Sequence, residues 1–181
     1  MATLPVRDFT APVVTVEEYL KTVYEPDCEY IDGRVEERNL GEYDHGDLQL
    51  LLGTLFRNHR ADWGIRVVTD VRTQVRPSNF RVPDLSVLRA DAPREQIISH
   101  PQLIAIEILS PEDRWSRLQE KIDDYLAFGV ENIWVLDPET RKAWTVDREG
   151  RAHPAQKGEL TVPGTPIHVA LCEVFAELDR A

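Results

Sequence analysis

Two carboxylates stand in stretches that otherwise read as core. Glu107 interrupts the apolar run LIAIEIL, and Asp84 follows Pro83 in FRVPDLSVL. A short aliphatic run bounded by Pro101 and by Ser110-Pro111 has the pattern of a strand buried on both faces. An unpaired carboxylate there costs several kcal/mol or gives up its charge, so Glu107 requires a hydrogen-bonding partner, a cation or a metal ion. Positions 84 and 107 differ by 23 residues, enough for a connection between neighbouring strands. Two acids converging from such strands make a hard anionic oxygen site of the kind that holds magnesium, with water and a substrate phosphate completing the shell. That site generates hydroxide and neutralises phosphate charge. Lys121, three residues after Leu118 and four before Tyr125, falls at the flank of a helical stripe. From there it can reach inward to orient or deprotonate the attacking water, or to stabilise charge developing on phosphorus.

The elements that must position these groups follow from the patterning. Thr15 before VEEYLKTVY caps a short helix running to about residue 24. CEYIDGRVEER places Asp32-Gly33 between two alternating runs, a hairpin signal. From Asp44 to Arg60, Leu48, Leu51, Leu52, Leu55 and Phe56 recur at helical spacing, with His45 and His59 expected on the same stripe. IRVVTDVRTQVRP and FRVPDLSVL read as strands or a bent hairpin, and LIAIEILS as the next strand. Ser110-Pro111-Glu112-Asp113 has the make-up of a helix start, with Trp115, Leu118, Ile122, Tyr125 and Leu126 as its buried face and Gly129 as its stop. ENIWVLD and KAWTVD form a second hairpin about Pro138-Glu139, and LCEVFAEL closes the chain as a short helix after weak strands. The order α, ββ, α, βββ, α, ββ predicts a mixed sheet flanked by helices in one α/β domain spanning residues 1–181.

Composition narrows the function classes. The chain has 181 residues, 42% of them hydrophobic, which suits one soluble domain. A net charge of -11 argues against general adhesion to nucleic acid or anionic membrane, so any nucleic-acid site must be local. Cys28 and Cys172 lie far apart and give neither a disulfide framework nor a zinc spacing, which fits a reducing cytoplasm. MATLPVRDFTAP has no apolar leader core, and no stretch is apolar for long enough to span a membrane.

Taken in order, EYIDGRV, His45 within a helix, VPDLSVL, IEILSP, the K-x-x-x-Y spacing of Lys121 and Tyr125, and GVENIWVLDP resemble the Uma-two-type restriction endonucleases of the PD-(D/E)XK nuclease superfamily. The resemblance extends over residues 15–147. It implies a restriction-endonuclease-like fold, a DNA substrate and magnesium or manganese as cofactor. It makes Asp84 the motif's aspartate, Glu107 its second acid and Ile108 the residue whose backbone carbonyl also faces the metal. Glu29 matches an acid near the family's site, and His45 a histidine of its long helix. The general superfamily motif has lysine two residues after the second acid, where this chain has Leu109. The Uma-two-type family carries its lysine on the following helix, and Lys121 occupies that place. Cutting both strands as restriction enzymes do implies a homodimer.

Plainer readings stand beside these. Glu107 can pair with a buried Arg or Lys, Asp84 can cap a turn after Pro83, and Lys121 can be a solvated helix charge. Glu29, close to a hairpin turn, reads as a surface residue; His45 reads as a helix-end histidine, and Tyr125 as core with its hydroxyl near the site. Arg57, Arg60, Arg66, Arg72, Arg76 and Arg81 outnumber Asp62 and Asp70 in their stretch, as a DNA-backbone face or a solvated strand face would. Besides a metal-dependent endonuclease, the pattern admits a nuclease-fold binding or regulatory module that has lost cleavage, which Leu109 and the strong acidity favour, and a two-carboxylate glycosidase, which Lys121 disfavours.

Overall fold

The computed structural model describes residues 13–39 and 41–180. The N-terminal stretch read above as lacking a leader core lies outside them. Thr15 caps α1 (Val16–Lys21) through a reciprocal capping box with Glu18. β1 (Cys28–Ile31) and β2 (Arg34–Glu37) form the expected hairpin, its turn residues Asp32 and Gly33 at φ 46° and 88°. Positive φ at both places selects the Asp-Gly pair. α2 (Tyr43–Asn58) buries Leu48, Leu52 and Phe56. His59 does not share its stripe: it falls at the C-cap, half exposed, stacked on Trp63.

β3 (Ile65–Thr69), β4 (Thr73–Arg76), β5 (Asn79–Arg81), β6 (Leu85–Arg89) and β7 (Ile104–Ile108) follow, five strands where the sequence suggested three. Asp70, at φ 53°, breaks the first apolar stretch so that β3 and β4 enter different sheets. Val82-Pro83 breaks the second, because proline has no N–H for a ladder. α3 (Trp115–Phe128), β8 (Ile133–Asp137), β9 (Lys142–Val146), β10 (Ala152–Pro154), β11 (Glu159–Thr161), β12 (His168–Ala170) and α4 (Leu171–Leu178) complete the order. α3 begins later than expected. The Asp113 carboxylate accepts from the N–H of Ser110 at 2.7 Å and closes a separate turn, and Arg114 sits at the N-cap without a side-chain cap. Gly129 ends the helix at φ 104°, as its position predicted.

The central sheet has the order β10-β9-β8-β7-β6-β3. Only its β7–β8 pair, linked through α3, is parallel, so the sheet is mixed. A second sheet runs β2-β1-β5-β4, and β11 pairs with β12. β7 sorts its residues by a period of two. Ile104, Ile106 and Ile108 join the core under α2 and α4, whereas Ala105 packs with Leu118, Ile122 and Tyr125 of α3. Glu107 shares the parity of Ala105 and therefore faces α3. Among the described residues no helix is long and apolar enough to cross a membrane.

Candidate active site

Pairing of Leu85 with Ile106 brings Asp84, at the entrance to β6, level with Glu107 near the end of β7. Residues directly opposite in an antiparallel pair project to one face, so both acids open on one cleft. Asp84 is 3% exposed and Glu107 4%. Asp84 Oδ2 accepts from the N–H of Ile108 at 2.7 Å, and Oδ1 from Arg38 Nη2 at 2.6 Å. His45 reaches in from the first turn of α2, its Nε2 3.6 Å from Oδ2. Asp70 takes the other nitrogen of Arg38 at 2.8 Å, and Gln49 ties Asp70 to the Asp84 carbonyl. Burial pushes the Asp84 carboxyl up, but His45, Lys121 and Arg38 outweigh it and hold the group below the usual aspartate range. Burial likewise lowers the His45 imidazole, and Asp84 more than reverses it, raising its pKa.

Glu107 accepts from Lys121 Nζ at 2.9 Å and from the Tyr125 hydroxyl at 2.6 Å. Lys121 and Tyr125 are four apart on α3, so they face the strand together. Lys121 also lies 3.2 Å from Glu29 Oε1. Burial raises the Glu107 carboxyl to about 6, with the Asp84 and Glu29 charges adding to the rise and Lys121 opposing it. Burial alone would lower the Lys121 ammonium, but Glu107, Glu29 and Asp84 raise it well above the usual lysine range, so it keeps its proton. Glu29 feels strong desolvation that Lys121 and Arg81 overcome, leaving it below the usual glutamate range.

Asp84, Glu107, Ile108, Lys121, His45 and Glu29 thus gather in one place, and the plainer reading of Glu29 as a surface residue does not hold. Glu29 is fully buried because β1 turns it toward Arg81 of β5, whose Nη1 donates at 2.8 Å, while the Val82 N–H donates at 3.1 Å. Arg81 also donates to Asp124 at 2.7 Å and so spaces the second sheet from α3. The arginine-rich stretch does not make one face. Arg81 is buried here, Arg76 pairs with Asp124, and Arg72 lies over the Tyr19 ring. Sequence reasoning missed Arg38, Asp70 and Gln49, whose polar types and unremarkable surroundings carry no signal before the chain is folded.

The donor set suits a hard divalent cation. Two buried carboxylates and the Ile108 backbone adjoin a cleft with about 40 Å³ open to water, more than the ~10–15 Å³ that one water needs. Among the described residues no group of three or more His, Cys, Asp or Glu side chains is placed to hold a metal. Two acids leave most of a magnesium shell to backbone oxygen, water and substrate, which is how that ion is commonly held. Arg38 and Lys121, on the same carboxylates, supply the positive charge that keeps both acids buried in the protein alone.

A family model named Uma2 and described as "Putative restriction endonuclease" matches residues 16–175. The solved structure of a "putative nuclease belonging to DUF820" from Anabaena variabilis superposes with a TM-score of 0.78 at 22% identity, over 91% of this chain and 99% of that one. That likeness establishes the fold. A DrdV–DNA complex solved by electron cryomicroscopy matches at a TM-score of 0.38 and 18% identity, over 70% of this chain and 11% of that chain. No curated protein matches.

Proposed function

The chain belongs to the Uma2 family, and from that premise we propose that it is a metal-dependent endonuclease hydrolysing phosphodiester bonds of DNA. The observation that carries the reading is the facing pair Asp84 and Glu107 with the Lys121 ammonium on Glu107 at 2.9 Å. Magnesium or manganese held by Asp84, Glu107 and the Ile108 carbonyl would supply an activated water and offset charge on the phosphate. Asp84 stays ionised because Arg38 and His45 hold its charge. Lys121 stays protonated, so its part is that of a fixed positive donor toward attacking water or developing phosphorane charge, and not that of a base. Glu29 and Tyr125 orient it and its partner: one takes the ammonium from behind, the other fixes the Glu107 carboxylate. Arg117, which lines the same cleft, is suited to non-bridging phosphate oxygens.

The binding-module reading drew on Leu109, yet the charge that the strand lacks arrives from α3, so that observation no longer favours it. A lysine on the second acid likewise speaks against a glycosidase. Free Cys28 and Cys172 fit the reducing cytoplasm we assign to the protein, and double-strand cutting would call for two copies. Supercoiled and single-stranded DNA incubated with magnesium, manganese or chelator tests the proposal. Nicking or linearisation with either ion, abolished by chelator and by Asp84→Asn, is the expected result. Cutting that survives both treatments would overturn it.

A further inference from the structure

A group of arginines without acid partners lies away from the cleft. Arg57 near the end of α2, Arg60 just beyond it, Arg66 on β3 and Arg94 after β6 line one groove of about 460 Å³. Arg57, Arg60 and Arg94 are exposed, and among the described residues their side chains make no ion pair or hydrogen bond. Arg66 donates through Nη2 to the carbonyls of Ala92 and Pro93, which leaves its buried Nε without a partner. Glu95 is the acid of this groove, and its carboxylate is already taken by Ser99 and His100. In a chain of net charge -11, four arginines that share a groove without acid partners are held against the general electrostatic trend.

We propose that this groove grips the phosphate backbone of duplex DNA at a distance from the bond being cut, an assignment that rests on the endonuclease reading above. β3 connects the two places. Arg66 pairs with Leu88 and Thr69 with Leu85, so the strand runs from the groove toward Asp70, which Arg38 ties to Asp84. Four residues of strand at ~3.3 Å each span about 13 Å. That is roughly four steps of a duplex at ~3.4 Å per nucleotide on one strand. Guanidinium groups suit the occupant, since each offers a planar fork to phosphate oxygens. Contacts of this kind set the register and orientation of the duplex on the protein and leave base reading to other groups.

The test uses the full chain and a fluorescein-labelled DNA duplex, with chelator present so that binding is read without cleavage. Arg57→Ala/Arg60→Ala/Arg94→Ala removes three side chains without partners, so the fold is retained, which circular dichroism checks. The slope of log K against log salt should shrink by about 2.7, three contacts at about 0.9 each. The corresponding triple lysine variant should keep most of the slope, which a merely structural effect would not allow. In cleavage assays KM should rise while kcat at saturating DNA holds. A triple alanine variant with the parent's affinity and slope would overturn the groove while leaving the endonuclease reading intact. So would a parent that binds no duplex. A groove-dependent salt slope in a protein that cuts no DNA with either magnesium or manganese would sustain the groove and sink the endonuclease reading instead.

Discussion

Replacing Lys121 by methionine keeps the aliphatic stem and removes only the ammonium that sits between Glu107 and Glu29. Deleting one partner of a buried ion pair costs about 3–5 kcal/mol. Here the low end applies, about 3 kcal/mol, because Glu29 keeps Arg81 and the Val82 N–H, and Glu107 keeps Tyr125. The loss depends on pH with a definite sign. Burial pushes the Glu107 carboxyl up to about 6 in the folded protein, above the usual glutamate value of 4.5, so the folded state binds its proton more tightly. Its contribution to stability is therefore full below about pH 4.5 and is lost as pH rises through about 6. Without Lys121, which lowers that pKa, the window extends upward, and protonation can relieve the variant by up to ~1.4 kcal/mol per pH unit across it. Urea unfolding followed by the fluorescence of buried Trp134 measures this at about pH 8 and about pH 5.5. The deficit should be large at the higher pH and should shrink at the lower. Adding Glu107→Gln should restore most of the stability at both, since a neutral amide needs no cation. Equal stability of Lys121→Met and the parent at about pH 8, or a deficit that ignores both pH and Glu107→Gln, would refute the reasoning.

Magnesium at ~100 times its Kd should stabilise the parent by about 2.7 kcal/mol through mass action, seen as a raised Tm that Asp84→Asn does not show. In a plasmid assay Lys121→Ala should cut at least ~100-fold more slowly than the parent, the scale on which losing one positioned donor acts. Leu109 is half-buried and lines the cleft, so Leu109→Lys in the Lys121→Ala background should recover part of that rate; no recovery would mean that the ammonium must come from α3.

Local patterns made most of the elements legible. The Asp-Gly hairpin, the α2 stripe and the glycine stop of α3 each rest on rules that act within a few residues, and each stands where the sequence put it. Errors arose where two sheets share one stretch of chain. Nothing in IRVVTDVRTQVRP marks Asp70 as the residue that takes positive φ, and aspartate tolerates that conformation without a neighbouring glycine. Ser110-Pro111 resembled a cap because its residue types suit one, but the Asp113 carboxylate can satisfy only one set of N–H groups, and it closes its own turn.

The contact between Lys121 and Glu107 follows from three rules taken together. A period of two sets Glu107 on the face of β7 that carries Ala105, helical spacing sets Lys121 beside Leu118 and Tyr125, and a crossover between parallel strands must lay its helix over that sheet. Each is local or nearly so, and together they bring a lysine displaced from the strand to Glu107. Glu29 obeys no such rule. It arrives on a different sheet, whose docking against α3 is fixed by Arg81 between Glu29 and Asp124. Charged residues of this kind look alike in sequence whether solvated or buried, and only the packing of the two sheets decides which acid each guanidinium meets. The same reason hid Arg38 and Asp70. An acid in an apolar run announces that it has a partner, because burial makes the partner obligatory. The partner announces nothing, since arginine in a polar loop costs nothing to leave in water.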